Sequence, residues 1–127
     1  MSISHLDHLV LTVRDIEESV SFYASVLGME RQVFGEGRVA LVFGNQKLNL
    51  HLAGQEFEPR AELPGPGSAD LCFITEMPLG QAMEYVCACG VEIIEGPVKR
   101  TGATGPILSF YIRDPDSNLI EVANRID

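Results

Sequence analysis

Hydrophobic residues alternate with other residues in several short stretches of the chain, which is typical of β-strands with one buried face. The first such stretch is 6–13, where apolar side chains recur at every second position. A strand is predicted there, with Leu9, Leu11 and Val13 packed against a helix. The opposite face of this strand then carries His8, Val10 and Thr12.

A helix is predicted directly after this strand. Asp15 with Glu18 three residues later forms a capping box, and Gly28 supplies a left-handed stop. Between them the apolar residues change from a two-residue to a helical period. The residues expected on the buried helix face are Ile16, Val20, Tyr23 and Leu27.

Three short strands are predicted next, near 29–34, 38–43 and 46–52. Turn sequences separate them, namely Gly35-Glu36-Gly37 and Gly44-Asn45. In the last of these strands, Lys47, Asn49 and His51 share one face and the leucines share the other. The segment that follows, 54–68, has three prolines and no periodicity, so a linker is predicted there.

The second half of the chain repeats this order of elements. It begins with a strand at 69–74, followed by a helix opened by Pro78 and closed by Gly90. Further strands are expected near 91–95, 106–113 and 118–124. The prediction is an α+β fold with two tandem βαβββ modules in a single domain, 1–127, with module 1 at about 4–53 and module 2 at about 69–127.

A hidden duplication supports the two modules. Leu9–Thr12 aligns with Leu71–Ile74, and Leu50–Ala53 aligns with Ile120–Ala123 if the second half carries an insertion, placed at the Gly- and Pro-rich Val98–Pro106. Under this alignment His8 corresponds to Asp70, and His51 corresponds to Glu121. Residues able to bind a metal therefore occupy matched positions in both halves.

Composition narrows the classes of function. The chain has 127 residues, 46% of them hydrophobic, and a formal net charge of −9. An acidic chain with scattered basic residues is not expected to bind nucleic acid or an anionic membrane. No apolar stretch approaches the roughly 20 residues of a membrane span, and the N-terminus has no signal-peptide pattern, so a cytoplasmic protein is expected. The three cysteines are interpreted as core thiols.

His8, His51 and Glu121 are the candidate metal ligands. Two imidazoles and one carboxylate suit one divalent ion such as Mn, Fe, Co, Ni or Zn, with positions left for water or substrate. A single histidine at a strand end is more often a hydrogen-bonded surface or core residue, so the hypothesis depends on the three occurring together. Asp70 stays open as a fourth ligand.

Several polar residues accompany these candidates. Lys99 and Arg100 stand together in an otherwise acidic chain, which suits an anionic substrate, although a solvated loop explains them equally well. Ser109, Tyr111 and Arg113 share the outward face of the strand predicted at 106–113. Ser109 and Tyr111 can donate hydrogen bonds to a substrate oxygen or can simply fill a sheet surface.

Three segments carry a resemblance to a known family: residues 6–13 (LDHLVLTV), 22–29 (FYASVLGM) and 110–122 (FYIRDPDSNLIEV). With the two βαβββ units, they resemble the vicinal oxygen chelate superfamily, which includes glyoxalase I, fosfomycin-resistance proteins and extradiol dioxygenases. Within it, the chain is most similar to the glyoxalase-domain-containing 5 type, whose members are described as lactoylglutathione-lyase-like.

This resemblance implies a curved mixed eight-stranded sheet around the metal, and a homodimer in which one site can draw ligands from both chains. It implies a lyase or isomerase for a small oxygenated, anionic substrate such as a glutathione hemithioacetal. Glu121 and Tyr111 would be catalytic, and the substrate would contact Asn49, Arg100, Ser109 and Arg113.

The chain departs from glyoxalase I at two of the four metal-site positions, where it carries His51 and Asp70. Two alternatives therefore stay open. One is a non-catalytic protein that sequesters a small molecule, of the bleomycin-resistance type. The other is an enzyme similar to the extradiol dioxygenases or the fosfomycin-resistance proteins.

Overall fold

The structure is a computed structural model that describes residues 1–127. It divides into two compact units, 1–67 and 68–127. Each unit contains one helix and four strands in the order βαβββ, and the four strands of each unit form one mixed sheet. The predicted α+β class and the tandem order are therefore confirmed, with the eight strands in two four-stranded sheets.

Unit 1 has its strands in the spatial order β1-β4-β3-β2. β1 runs parallel to β4, and the other neighbours are antiparallel. The parallel pair is possible because a helix makes the crossover connection between β1 and the following strands. Its elements are β1 (His8–Val13), α1 (Ile16–Leu27), β2 (Glu30–Phe34), β3 (Arg38–Phe43) and β4 (Gln46–Leu52).

The predicted signals at both ends of α1 are confirmed. The side chain of Asp15 accepts a hydrogen bond from the backbone N–H of Glu18 at 2.9 Å. Gly28 ends the helix in the left-handed region with φ 70°. The buried residues of α1 are Ser19, Val20, Tyr23 and Val26, so Val20 and Tyr23 were correctly placed on the inner face.

Unit 2 has the corresponding order β5-β8-β7-β6, with β5 parallel to β8. Pro78 is the N-cap of its helix, and Gly90 follows the helix with φ 82°. The sequence analysis had predicted that these two residues begin and end the helix. The elements are β5 (Asp70–Ile74), α2 (Leu79–Ala88), β6 (Glu95–Gly102), β7 (Gly105–Arg113) and β8 (Leu119–Arg125).

The strand predicted near 91–95 is wrong in position, because β6 begins only at Glu95 and continues to Gly102. The residues expected to be an inserted loop instead form a hairpin with β7, in which Val98 pairs with Ser109. Local glycine and proline content predicts a loop, but the ladder of backbone hydrogen bonds to β7 outweighs this preference. A bulge between Glu95 and Val98 accommodates the irregular start of the strand.

Alternation along the strands correctly predicted most of the apolar side chains that form the core. In unit 1, Leu11 and Val13 are buried, as are Leu48 and Leu50. In unit 2 the core residues of the last two strands are Phe110, Ile112, Ile120 and Val122. The opposite face of each sheet, called here the polar face, carries the side chains that were proposed to bind metal or substrate.

Candidate functional site

Glu121 lies near the centre of the polar face of unit 2. Its neighbours across the sheet are Cys72 on β5 and Tyr111 on β7. The hydroxyl of Ser109, which is fully buried, donates a hydrogen bond to Oε2 of Glu121 at 2.6 Å. Such a short charge-assisted bond fixes the orientation of the carboxylate. Ser109 therefore fixes the position of the Glu121 carboxylate.

Cys72 lies beside Glu121 on the neighbouring strand β5. All three cysteines are exposed, so their interpretation as core thiols is wrong. Partial desolvation of Cys72, together with the adjacent Glu121 carboxylate, raises the pKa of its thiol to about 11. The thiol therefore stays protonated at neutral pH and can donate to the carboxylate. A thiol in this state is a poor nucleophile, which argues against covalent chemistry at Cys72.

Arg100 and Tyr111 form a second polar group on the same face. Nε of Arg100 donates to the Tyr111 hydroxyl oxygen at 2.9 Å, and Nη2 donates to Oε2 of Glu95, also at 2.9 Å. Because the Tyr111 oxygen accepts from a cation, its own O–H remains available as a donor. The guanidinium stays exposed, with 40% of the side-chain surface accessible to solvent.

Two cavities adjoin these residues, and both are lined by Arg100 and Glu121. The first, of about 430 Å³, extends from Cys72 to Arg125. The second, of about 380 Å³, includes Asp70, Tyr111 and Arg113 among its lining residues. Each volume is large enough for a small organic molecule. Unit 2 therefore brings together Glu121 with most of the substrate-contact residues expected from the sequence.

Lys99 does not join this group. It pairs with Leu108 in the β6–β7 ladder, whereas Arg100 pairs with Ile107. Successive side chains of a strand point to opposite faces, so only Arg100 lies on the polar face. The two basic residues that are adjacent in sequence are therefore separated by the sheet.

His8 begins β1 on the polar face of unit 1. Its Nδ1 is hydrogen-bonded to Oδ2 of Asp7 at 2.8 Å, and 43% of the side-chain surface is exposed. A carboxylate on one ring nitrogen leaves the other nitrogen, Nε2, oriented to bind a metal. This donor arrangement fits a divalent ion. The remaining histidine, His5, is exposed and contacts Ser4.

His51 is buried on β4, with 4% of its surface exposed. Nη2 of Arg38 donates to its Nε2 at 3.3 Å, and the ring packs edge-on against Phe57 at a centroid distance of 5.6 Å. Burial, followed by the positive charge of Arg38, lowers the pKa of His51 from its ordinary value, while Glu56 acts in the opposite direction. His51 is therefore held as a neutral acceptor.

Arg38 and Asn49 lie beside His51 with unsatisfied polar atoms. Nε of Arg38 and Oδ1 of Asn49 are both buried without a hydrogen-bond partner. The Arg38 guanidinium lies near two aromatic rings, 5.2 Å from the centroid of Phe34 and 4.7 Å from that of Phe57. This group forms a closed polar cluster on unit 1.

Strand register shows how far apart the candidate ligands lie within each unit. His8 pairs with Lys47, so His51 is four residues further along β4, about 13 Å at roughly 3.3 Å per residue. In unit 2, Asp70 pairs with Leu119, and Glu121 is two residues further. Within each unit, no group of three or more His, Cys, Asp or Glu side chains forms a metal-binding cluster.

The same registers correct one expectation. If His8 corresponds to Asp70, then Asn49 rather than His51 corresponds to Glu121, because each lies two residues beyond the paired partner. The expected equivalence of His51 and Glu121 is therefore wrong by two residues. A period-two pattern looks the same after a shift of two, so alternation alone does not distinguish the two alignments.

The candidates differ in how well they suit a metal ion. His8 has a free ring nitrogen, and Glu121 retains lone pairs beyond the one that accepts from Ser109. Both therefore fit a divalent ion. His51 fits less well, because its Nε2 already accepts a hydrogen bond from a cation.

Sequence reasoning missed Arg38, Phe57 and Asp7. The two-residue turn at Gly44-Asn45 contained a signal for Arg38, because Arg38 and His51 are equally distant from this turn and must face each other in the hairpin. Phe57 had no such signal, since it lies in a segment without periodicity.

Comparison with known proteins identifies the family. Residues 5–122 match the profile of the glyoxalase/bleomycin resistance protein/dioxygenase superfamily. The chain belongs to this superfamily. Its members share the tandem βαβββ arrangement found here, so the family expected from the sequence is confirmed.

Two curated relatives of this superfamily member are similar over nearly its whole length. Virulence protein STM3117 of Salmonella typhimurium is 54% identical over 126 residues, which cover 99% of this chain and 88% of the relative. Glyoxalase domain-containing protein RDO1 of Mycosarcoma maydis is 52% identical, over 100% of this chain and 72% of the relative.

Solved structures share this fold. A protein from the mobile metagenome of V. Pseudocholerae superposes with a TM-score of 0.98 at 63% identity, covering 100% of this chain and 98% of that one. Lactoylglutathione lyase from Agrobacterium tumefaciens has a TM-score of 0.74 at 22% identity, covering 98% and 96%. TnmS3, an antibiotic binding protein from Streptomyces, has a TM-score of 0.76 at 22% identity, covering 99% of each chain. The last two likenesses show the fold alone.

Proposed function

We propose that this chain is a metal-dependent enzyme of glyoxalase type, a lyase or isomerase acting on a small oxygenated anion. The observation that carries the proposal is Glu121, a carboxylate fixed by a buried serine at the boundary of two cavities that also contain Arg100. Superfamily membership supports it, because the family includes metal-dependent enzymes. A glutathione hemithioacetal is the first substrate to test.

We assign His8, His51 and Glu121 as ligands of one divalent ion, with Mn, Fe, Co, Ni and Zn as candidates and Asp70 as an open fourth position. When bound, such an ion supplies Lewis-acid polarisation of substrate oxygens. Proteins of this family often form dimers, and we propose a homodimer here, with a site that can be shared between chains. The cytoplasmic location stays a prediction; no helix is long and apolar enough to cross a membrane.

The residues of unit 2 have separate roles in this proposal. Glu121 accepts the proton that is removed from the substrate, and Ser109 keeps its carboxylate oriented. The Tyr111 hydroxyl, whose oxygen accepts from Arg100, donates its proton in a hydrogen bond to a substrate oxygen. Arg100 and Arg113 attract the anionic group, and in unit 1 Asn49 contributes a polar contact.

Metal content is the direct test. Protein purified without chelators, then loaded separately with each of the five metals, is expected to hold about one ion per chain by elemental analysis. Glu121→Gln, His8→Gln and His51→Ala should each lose this ion and the hemithioacetal activity. His5→Ala is the matched control, because His5 is an exposed histidine with no assigned role, and it should retain both.

The variants separate the ligand assignment from the enzyme proposal. Retention of metal and turnover in His51→Ala alone would show that His51 is not a ligand, in line with its bond to Arg38. Turnover that persists in Glu121→Gln would contradict the enzyme mechanism itself.

A second function, a non-catalytic small-molecule binding protein, is favoured by one observation. Arg38 occupies the Nε2 atom through which His51 would bind a metal. Absence of metal under every loading condition would support this function. The enzymes similar to extradiol dioxygenases and fosfomycin-resistance proteins remain further alternatives, tested by substrate screening of the metal-loaded protein.

A further inference from the structure

The closed polar cluster on unit 1, Arg38, Asn49 and His51 with Phe34 and Phe57, contains one buried donor and one buried acceptor without partners. The donor is Nε of Arg38, and the acceptor is Oδ1 of Asn49, a residue that is only 6% exposed. Unpaired buried polar atoms cost free energy, so native proteins rarely keep them without a reason. The cluster is therefore incomplete as it stands.

Both atoms belong to side chains on the same face of the sheet. Val39 of β3 pairs with Leu50 of β4, so Arg38 lies directly across from His51. Asn49 lies two residues before His51 on β4 and is therefore diagonal to Arg38. Residues in this diagonal relation lie about 7–8 Å apart, and their Cβ atoms are somewhat closer. A molecule of only a few heavy atoms can therefore contact both.

The charge of the cluster indicates what kind of molecule fits. Arg38 contacts an imidazole and two aromatic rings, and none of these three partners is a carboxylate. Neither ring supplies a lone-pair acceptor, so the Nε–H edge of the Arg38 guanidinium remains available for a contact. A carboxylate matches this edge, since its two oxygens accept in the same plane.

Phe57 controls access to this edge. It lies in the irregular segment between β4 and β5, 41% of its surface is exposed, and its ring contacts Arg38 through its face and His51 in an edge-on arrangement. Phe34, the other ring, belongs to β2 and is held by strand pairing with Arg38. Phe57 is therefore the ring that can move aside when a ligand enters.

We propose that Arg38 and Asn49, capped by Phe57, bind the carboxylate and the neighbouring hydroxyl group of a small 2-hydroxy acid. The carboxylate accepts from Nε of Arg38, and the hydroxyl donates to Oδ1 of Asn49. The choice of an oxygenated anion rests on the proposed function, but binding here requires neither a metal ion nor turnover. The two proposals can therefore fail separately.

Glycolate, the smallest 2-hydroxy acid, is the probe. The full chain, labelled with ¹⁵N and kept in EDTA, is titrated with sodium glycolate at constant ionic strength and followed by NMR. Saturation at roughly millimolar concentration is expected for so small a ligand. The Nε–H resonance of Arg38 should shift as its partner arrives. Acetate, which lacks the hydroxyl, should bind about fivefold more weakly.

Variants test each contact. Arg38→Met should weaken glycolate binding about tenfold or more, since a hydrogen bond to a charged group is lost. Arg31→Met is the matched control, because Arg31 lies in the same unit but is paired with Glu17 at 2.6 Å; it should bind like the parent chain. Asn49→Leu should abolish the preference for glycolate over acetate.

The cap has its own test. Phe57→Ala should tighten glycolate binding severalfold, because no ring has to be displaced, whereas Leu63→Ala in the same segment should have no effect. Unchanged or weaker binding by Phe57→Ala would overturn the role of Phe57 as a cap.

Equal binding of glycolate, acetate and chloride, or an Arg38 Nε–H resonance that does not move, would overturn the site and leave a buried water as the partner of both atoms. The resonance is measured on the parent chain, so this test does not depend on the folding of any variant.

Discussion

The two units share the order βαβββ, yet their polar faces differ in access to solvent. In unit 1, His51 is 4% exposed and the Arg38 guanidinium contacts two aromatic rings. In unit 2, Glu121 borders cavities of about 430 and 380 Å³, and Arg100 is exposed. The same scaffold therefore presents a closed polar cluster in one half and an open carboxylate site in the other.

The segments outside the shared scaffold cause this difference. Phe57, from the irregular segment after β4, packs against Arg38 and His51 on the polar face of unit 1. In unit 2 the elongated β6 places Arg100 beside Tyr111, and Glu95 accepts a hydrogen bond from Arg100. Repetition of a fold therefore conserves the positions of strands, whereas chemistry depends on what the connecting segments add.

The largest effect is expected at Gly96, where β6 passes close to the backbone of β7. A Cβ atom at Gly96 would lie 2.6 Å from Cβ and 2.7 Å from Cα of Phe110, and the residue has φ 130°. Gly96→Ala should lower the free energy of unfolding by about 3 kcal/mol or more, because Phe110 is fixed in the core and cannot yield. Urea denaturation measures this.

The matched control is Gly37→Ala, in the β2–β3 turn of unit 1. Gly37 also has a positive φ, 82°, but its Cβ would meet nothing within 4 Å. Only the cost of the left-handed conformation, about 1–2 kcal/mol, is expected. Equal losses in the two variants would contradict the view that close strand contact distinguishes the hairpin of unit 2.

A smaller effect is expected from the support under Glu121. Ser109→Ala removes the buried donor to Oε2 and should reduce the free energy of unfolding by about 1–3 kcal/mol. Ser25→Ala, which removes an exposed hydroxyl bonded to a backbone carbonyl, should have almost no effect. If Ser109→Ala proved as mild as Ser25→Ala, the orientation of Glu121 would not depend on this bond. Chemical denaturation in EDTA is the measurement.

The smallest effect concerns pH and His51. Because the folded state lowers the pKa of His51 below its ordinary value of 6.5, the unfolded chain takes up this proton first as the pH falls. Stability from this residue is therefore present above about pH 6.5 and declines below it, with a slope of at most about 1.4 kcal/mol per pH unit. His51→Gln should remove this contribution in EDTA, while His5→Gln should retain it. Identical pH profiles for His51→Gln and the parent chain would show that the closed cluster does not disfavour the charged imidazole.

Much of the scaffold was predictable because its signals are local. The capping box at Asp15, the stops at Gly28 and Gly90, and the alternation of Leu11 with Val13 each identify an element from a few neighbouring residues. The position of β6 was not predictable in this way. Its residues have loop-forming composition, and they form a strand only because β7 supplies hydrogen-bonding partners.

The candidate site likewise has features that the sequence predicted and features that it did not. Alternation correctly placed Ser109, Tyr111 and Glu121 on one face, since each strand imposes a two-residue period. It did not separate His51 from Asn49 as the counterpart of Glu121, because a shift of two residues leaves every side chain on the same face.

The sequence by itself determined the two βαβββ units, their apolar faces and the types of side chain available for chemistry, since periodicity and turn residues act over short distances. Only the tertiary structure decided that Arg38 occupies Nε2 of His51, that Phe57 covers them, and that Ser109 holds Glu121 beside an open cavity. These contacts join residues on different strands or loops. They depend on the strand register and on the path of the loops, which local sequence patterns do not specify.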